Sequence, residues 1–394
     1  MPKVANKAPP RPNNRAGGKV VHLPSGVQKA GVVLRNSILA AVKEFDAATA
    51  KDDKDYLRAL HGRAKQLQPG VPGKRVRAAF VKHRAMFAIG NEIDPNKIRP
   101  VLKLASQDTE WGEIFGVVRA LWSMPYNKGY GRRLRFVVFD AHHEAVIGII
   151  GLQSPPADLQ CRDMLFQYPK QRKLELVNST MDAYAVGAIP PYSYLLGGKL
   201  VAGLIATDAV REAYWTQYAG KKTEMENKLI RQPLVAVTTT SAFGRSSMYN
   251  RLKYKNRLLA EPIGSTLGFG TLHLEHLYDG IRAYLEMTGE YNNGGFGTGP
   301  KVRWQNIVTA LNRLGLGSDM LRHGVQREVF LYRLVEDLES GMSGGEPGNP
   351  ERLSVQDYSE FWIERWAVPR AQRFPHWSNG DERILIEQTL AAIS

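Results

Sequence analysis

The hydrophobic pattern is most informative in the middle of the chain, where two short apolar runs are separated by polar sequence. Residues 183–189 and 234–240 are rich in small and β-branched side chains and are bounded by breakers, so both predict buried strands. Pro190 and Pro191 end the first strand, because proline cannot donate a hydrogen bond to a neighbouring strand. The apolar segment 200–206 then predicts a helix, and the second strand is expected to lead into a basic, aromatic helix.

Two further apolar runs precede this pair. Residues 134–139 and 145–151 are separated by a short polar turn, which is the pattern of a β-hairpin. His142, His143 and Glu144 lie in that turn. Although these are metal-binding residue types, a polar hairpin turn accounts for them, and no metal site is expected.

Helical periodicity dominates both ends of the chain. The predicted helices cover residues 28–48, 53–66, 74–84, 109–122, 301–314 and 325–338. Together with the strands, they predict an α/β (α+β) fold in which a mixed sheet core lies between a helical N-terminal and a helical C-terminal region.

Composition suggests four segments. Residues 1–26 contain five basic residues and no acid, and they are predicted to be a disordered basic arm. Residues 27–122 are predicted to be the helical N-terminal region, and residues 123–275 the α/β core. Residues 276–394 are predicted to be a mostly helical C-terminal region with Gly-rich loops.

The charge balance limits the classes of partner. The chain has 53 Lys and Arg against 38 Asp and Glu, a net charge of +15, which favours a polyanionic partner, most often a nucleic acid such as DNA. A diffusely basic surface without a specific partner is the alternative. The single cysteine, Cys161, excludes an internal disulfide framework and is not expected to be a nucleophile. Without an apolar run long enough to span a membrane, a cytoplasmic location without membrane association is expected.

One basic stretch is a specific hypothesis for the DNA contact. Residues 227–260 contain seven Lys and Arg and no acid, and Tyr249 and Tyr254 lie among them. Cations that neutralise phosphates beside aromatic rings that stack on bases are typical of a nucleic-acid surface, and a solvated helix face is the alternative. The residues predicted to bind nucleic acid are Arg132, Arg133, Arg245, Arg251, Lys253, Lys255 and Arg257.

A turn between strand and helix is the hypothesis for an anion site. Gly197 and Gly198 precede the predicted helix 200–206, so their amides could approach a phosphate, with Lys199 adding a positive charge. A tight turn that packs the helix on the strand is an equal alternative. The hydroxyl groups at the end of the second strand, Ser241 among them, bind a substrate or cap the next segment.

Several long strings resemble a known family. The strings GYGRRLRFVVFD, IGIIGLQSP, GAIPPYSYLLGGKLVAGLI, VTTTSAFGRSSMYNRL and GFGTLHL resemble the DruA family of Druantia anti-phage systems, which also has relatives in phages and mobile elements. The resemblance runs from about residue 122 to about residue 273. It implies a DNA-directed protein of phage–host conflict, in a bacterial or phage-infected cell, with partners from the same defence system such as a helicase.

The order of elements also resembles the GNAT acyltransferases. The resemblance implies that Tyr194, Gly197, Gly198 and Lys199 hold the pyrophosphate of acyl-CoA, with Tyr249 as an acid to the leaving thiolate. Ser241 is the second residue predicted to be catalytic. The turn departs from that family's signature, since Tyr194 occupies the position where the signature has Gln or Arg, and Lys199 the position where it has a small residue. Two functions therefore stay open: an acyltransferase-type site that modifies or senses DNA bases, and a non-catalytic DNA-binding component of an anti-phage or mobile-element complex.

Overall fold

The computed structural model describes residues 24–51, 54–66, 73–124, 129–223, 227–230, 233–242, 244, 246–294 and 300–393. They separate into a smaller unit, the described parts of 24–40 and 277–318, and a larger unit, the described parts of 41–276 and 319–393. The predicted arm lies almost entirely outside the described residues, and the four-segment division of the chain stays a prediction.

The strands follow the chain in this order: β1 Pro100–Leu104, β2 Arg133–Asp140, β3 Ala145–Gln153, β4 Thr180–Ala188, β5 Ala236–Thr240, β6 Lys253–Tyr254, β7 Arg257–Leu258, β8 Glu261–Ser265 and β9 Glu328–Arg333. The helices are α1 Ser25–Thr49, α2 Lys54–Gln66, α3 Gly73–Lys82, α4 Glu110–Leu121, α5 Gln160–Asp163, α6 Lys173–Val177, α7 Gly197–Leu204, α8 Asp208–Tyr218, α9 Tyr278–Met287, α10 Pro300–Arg313, α11 Leu338–Met342, α12 Val355–Trp362, α13 Val368–Arg373 and α14 Glu382–Ala391. The mixed α/β architecture predicted from the sequence is confirmed.

Seven strands form one sheet in the order β1-β2-β3-β4-β5-β9-β8. Within the described strands β4 and β5 are the parallel pair, and their pairing runs from Thr180 opposite Ala236 to Ala183 opposite Thr239. Beyond that point β4 continues to Ala188 while β5 ends one residue later, so the two strands stop pairing in the middle of the sheet. The register of β4 against β3 shifts at the same place.

Both faces of the sheet are covered, which is why β3, with the sequence AVIGIIGLQ, is buried along its whole length. On one face, α7, α8 and α12 contribute Leu200, Tyr214 and Trp362 to a common core. On the other face, α3, α4 and α14 contribute Phe80, Val117 and several neighbours. The sheet is therefore a rigid support for the residues at the ends of its strands.

Two predictions about elements are wrong, and one strand was missed. Residues 325–338 were predicted as a helix, but Glu328–Arg333 is strand β9, which lies between β5 and β8. The segment after β5 was predicted as a basic helix, but its described residues form a turn and the hairpin β6–β7. Strand β1 was not predicted. Pro100 is compatible with it, because proline is tolerated as the first residue of an edge strand, which pairs with a neighbour on one side only. For β9 and β1, pairing with a strand that is distant in the sequence outweighs the local preference.

Candidate nucleic-acid interface and the centre of the sheet

A cationic cleft opens at the end of the sheet where β2 begins and β3 ends. Its volume is about 690 Å³, and it is also lined by the segment that follows α8. The Lys and Arg residues in its lining are Arg132, Arg133, Arg135, Lys221 and Lys222. No Asp or Glu is among the described residues that line this cleft. The charge of the cleft is therefore uniformly positive.

A glycine turn places the first of these cations. Gly131 has a φ of +58°, and a Cβ at this position would lie 2.4 Å from Ser154 Oγ, so a larger residue does not fit. Ser154 Oγ in turn accepts a hydrogen bond from Arg132 N at 3.0 Å. The Arg132 guanidinium donates to the hydroxyl of Tyr214 and lies over its ring, 5.6 Å from the centroid. Arg132 is thus held in place by the protein and forms a fixed positive charge in the wall.

Three of the remaining cations of the wall present their charges to solvent. Arg133, Lys221 and Lys222 are exposed, and no carboxylate of the described part of the chain pairs with any of the three. Tyr218 connects the two segments that carry them, because its hydroxyl accepts from Arg133 N and donates to Arg133 O, both at 2.8 Å. Exposed, unpaired cations bind a phosphate without first breaking an ion pair.

A second recess of about 650 Å³ shares Lys222 and Asn178 with the cleft. It differs in charge, because Glu175 pairs there with Arg172 at 2.9 Å and with Lys228 at 3.5 Å. Of the two recesses, the first cleft is therefore the one with a uniformly positive lining.

The structure separates the residues that were predicted to bind nucleic acid. Arg132 and Arg133 lie in the cationic cleft, where Arg135, Lys221 and Lys222, which the sequence analysis missed, join them. Within the basic surface predicted at 227–260, the hairpin β6–β7 and the turn before it expose Arg251, Lys253 and Lys255. Arg257 forms an ion pair with Glu351, and Arg245 lies outside the described residues.

The predicted anion turn lies at the start of α7, which the 3-10 helix Tyr192–Leu195 separates from β4. Gly197 is buried, and a Cβ on Gly198 would lie 3.4 Å from Met248 Sδ. The Lys199 ammonium donates to Asn250 O at 2.9 Å and lies over the Trp366 ring, 5.6 Å from its centroid. Burial lowers the pKa of Lys199, and the nearby Arg365 lowers it further. In this conformation the side chain of Lys199 is bound to the protein.

Both hydroxyl groups predicted as catalytic are buried. Tyr249 is 4% exposed, and its hydroxyl lies 3.2 Å from Thr239 Oγ1. Burial raises the pKa of Tyr249 well above its usual range, so the phenol keeps its proton at neutral pH. Ser241 is 1% exposed and donates to Gly244 O at 2.5 Å.

A polar group lies at the centre of the sheet. Asp182 of β4 accepts hydrogen bonds from Thr238 Oγ1 at 2.9 Å and from Gln153 Nε2 at 3.1 Å. Burial raises the pKa of Asp182, and these two bonds together with Arg162 and Arg327 oppose the shift. Asp182 was a visible signal in the sequence, since it is an acid within an otherwise apolar central strand.

Other reactive residue types have structural partners. His143 Nδ1 lies 2.7 Å from Asp140 Oδ2 in the hairpin turn. The described residues contain no cluster of three or more His, Cys, Asp or Glu with the geometry of a metal site. Burial raises the pKa of Cys161, which disfavours its thiolate form.

The comparisons with known proteins agree on a family. A family model, Druantia protein DruA, matches residues 51–344. The chain is 38% identical over 339 residues to the Druantia protein DruA of Escherichia coli (strain UMEA 4076-1), which covers 85% of this chain and 84% of that protein. No solved structure matches the chain. Within the described residues, none of the helices is both long and apolar enough to cross a membrane. The chain therefore belongs to the DruA family of Druantia anti-phage systems.

Proposed function

We propose that this protein is the DNA-binding component of its defence system, and that the phosphate backbone of DNA lies in the cationic cleft. The observation that carries the proposal is the lining of that cleft, with five Lys and Arg and no acid among its described residues. Other proteins of the Druantia system, such as a helicase, would act on the DNA that it holds.

The cleft combines fixed and adjustable charges. Arg132 is held by Tyr214, whereas the exposed Arg133, Lys221 and Lys222 can follow the backbone of the bound strand. Each cation that contacts a phosphate releases counterions from DNA, so the affinity rises with their number and falls with salt. The net charge of +15 adds a long-range attraction that accelerates the encounter.

A triple variant tests this proposal. Replacing Arg133, Lys221 and Lys222 with alanine is expected to weaken duplex DNA binding by at least about tenfold at moderate salt, because up to three phosphate contacts are lost. Fluorescence anisotropy with a labelled duplex measures the affinity. The control variant replaces three exposed lysines outside the cleft lining with alanine, Lys29, Lys43 and Lys74, and has the same net charge.

The control variant should bind DNA nearly as tightly as the wild type. Equal losses in the two triple variants would mean that net charge alone attracts DNA, and the cleft would then have no specific role. Retained affinity in the cleft variant, with a loss when Arg251, Lys253 and Lys255 are replaced, would move the interface to the hairpin β6–β7.

Acyl transfer is the second candidate, and the topology of the sheet favours it. The parallel strands β4 and β5 stop pairing after Ala183 and Thr239. From β4 the chain leads through the 3-10 helix Tyr192–Leu195 into α7, which begins at Gly197. In the GNAT acyltransferases the turn after the fourth strand holds acyl-CoA. A cofactor bound there would reach the space between the two strands, and its pyrophosphate would meet the amides of Gly197 and Gly198.

Calorimetric titration with coenzyme A and acetyl-CoA tests the second candidate. Binding requires that the Lys199 ammonium release Asn250 O and turn towards the phosphate. If the turn is a cofactor site, Gly198→Val should abolish the binding heat, because the side chain blocks close approach of the backbone. Gly62→Val is the matched control, since a Cβ at Gly62 meets no atom within 4 Å. No heat with the wild type at millimolar ligand would remove acyl transfer and leave DNA binding as the function.

A further inference from the structure

The cationic cleft has an apolar part that contacts to phosphates do not explain. Its lining includes Tyr130 and Leu104, whose exposed fractions are 48% and 45%. Phosphates are bound by positive charges and hydrogen-bond donors, so a DNA backbone alone does not account for these two side chains. Exposed apolar surface is stabilised when a flat apolar group covers it, and the face of a nucleobase is such a group.

The backbone on both sides of Tyr130 is held by close packing. Gly129 and Gly131 have φ values of +71° and +58°, a conformation that favours glycine. A Cβ at Gly129 would lie 3.0 Å from Cε1 of Tyr184 on β4. Tyr130 O accepts a hydrogen bond at 3.2 Å from Ser154 N, which follows β3. Because its backbone is already ordered, Tyr130 loses less conformational entropy when a ligand covers its ring.

Positive charges share the lining with this ring. Arg132 and Arg133 follow Gly131 in the sequence, and Lys221 and Lys222 belong to the same lining. Proteins that bind single-stranded nucleic acids combine a positively charged groove with aromatic side chains, because the cations follow the phosphates while the bases stack on the rings. The cleft has both parts of this arrangement.

The state of the DNA follows from which surfaces of a base are accessible. In a duplex each base is stacked between its neighbours, and only the base edges are accessible in the grooves. In a single strand a base can present its face to an aromatic ring. The cleft volume of about 690 Å³ lies within the range of about 300–1,000 Å³ that is typical of pockets for small molecules. Its size therefore suits individual nucleotides.

We propose that the cationic cleft binds single-stranded DNA through a base as well as through phosphates. The ring of Tyr130 stacks on one unpaired base, and the exposed cations of the wall bind phosphates of the same strand. The proposal rests on the DNA-binding function proposed above, and it adds the class of DNA that the cleft takes.

Fluorescence anisotropy with three labelled probes tests the proposal. The probes are an oligothymidylate, a strand of the same length that is abasic throughout, and a duplex of that length. The first two have the same phosphates and differ in their bases alone. The wild type is expected to bind the oligothymidylate at least about fivefold more tightly than the abasic strand, which is the lower end of what the stacking of one base contributes.

Substitutions of Tyr130 separate stacking from a structural role. Tyr130→Leu removes the ring and keeps the backbone hydrogen bond from Ser154. It should lower the affinity for the oligothymidylate by at least about fivefold and leave the affinities for the other two probes unchanged. Tyr130→Phe keeps the ring and should bind all three probes as the wild type does. Phe269→Leu is the matched control, because Phe269 is also 48% exposed and lies outside the described lining of the cleft.

Three results would overturn the stacking of a base and leave the DNA-binding function intact. The first is a wild type with equal affinities for the oligothymidylate and the abasic strand. The second is a Tyr130→Leu protein that binds the oligothymidylate as tightly as the wild type. The third is a Tyr130→Leu protein that loses affinity for all three probes alike, which would assign Tyr130 to the structure of the cleft. A wild type that binds none of the probes would contradict both this proposal and the function on which it rests.

Discussion

Gly203→Ala is expected to destabilise the larger unit by about 3 kcal/mol or more, because the added methyl group has no space. A Cβ at Gly203 would lie 1.9 Å from Tyr358 Cζ and 2.1 Å from its hydroxyl oxygen. Tyr358 cannot move away cheaply, since it is fully buried and its hydroxyl donates to Lys199 O at 2.9 Å. Urea denaturation followed by circular dichroism measures the loss of unfolding free energy.

Gly116→Ala is the matched control, since Gly116 lies within α4 and a Cβ there meets no atom within 4 Å. Alanine has the higher helix propensity, so this variant should gain up to about 1 kcal/mol. The two substitutions are chemically identical, and they are expected to differ in sign. A Gly203→Ala protein as stable as the wild type would mean that α7 and α12 do not pack as closely as described.

Arg162→Met is expected to cost about 3–5 kcal/mol at neutral pH, because it breaks a buried ion pair on one side only. Arg162 is 0% exposed, and its guanidinium donates to Asp163 Oδ1 at 2.6 and 2.8 Å and to Pro156 O at 2.9 Å. Burial would raise the pKa of Asp163, but the bonds from Lys173, Leu159 N and Arg162 outweigh it and lower that pKa. Methionine fills part of the volume of the Arg162 side chain, but it leaves the Asp163 carboxylate and the Pro156 carbonyl without the hydrogen bonds that the guanidinium donates.

The pH dependence of this effect has a definite sign. A lowered pKa in the folded state contributes stability that is present above the pKa of the unfolded chain and is lost as the pH falls through the folded value. The cost of Arg162→Met should therefore be largest near pH 7 and smaller in acid. The exposed pair of Arg172 and Glu175 is the comparison, and Arg172→Met should cost less than about 1 kcal/mol. Similar losses of unfolding free energy for both variants would contradict the prediction that the buried Arg162–Asp163 pair contributes more than the Arg172–Glu175 pair.

The local hydrophobic pattern was sufficient to predict the strands that form the middle of the sheet. Both strands of the β2–β3 hairpin, β4 and β5 were predicted, because each is a short apolar run bounded by breakers. The helix prediction for residues 325–338 was wrong for a physical reason. The apolar run around Phe330 and Leu331 is compatible with the periodicity of a helix and with that of a strand. Only its pairing with β5 and β8 makes it a strand.

The site was less predictable than the fold, because it depends on residues that the chain brings together from distant segments. Arg133 lies on β2 and Lys221 and Lys222 follow α8, and Tyr218 joins the two segments by hydrogen bonds that no sequence pattern indicates. The continuous basic stretch 227–260 was a stronger local signal, yet one of its cations, Arg257, is neutralised by Glu351, which lies far away in the sequence. Distant ion pairs of this kind are invisible to a charge count.

The salt dependence of duplex DNA binding tests the central claim most directly. The logarithm of the association constant is plotted against the logarithm of the salt concentration for the wild type and for the variant with alanine at Arg133, Lys221 and Lys222. Each phosphate contact contributes about 0.9 to the slope, so three contacts correspond to a slope that is smaller by roughly 2.7. The DNA-binding account predicts such a flattening for the cleft variant and none for the control with Lys29, Lys43 and Lys74 replaced. Equal slopes for the wild type and the cleft variant would contradict it.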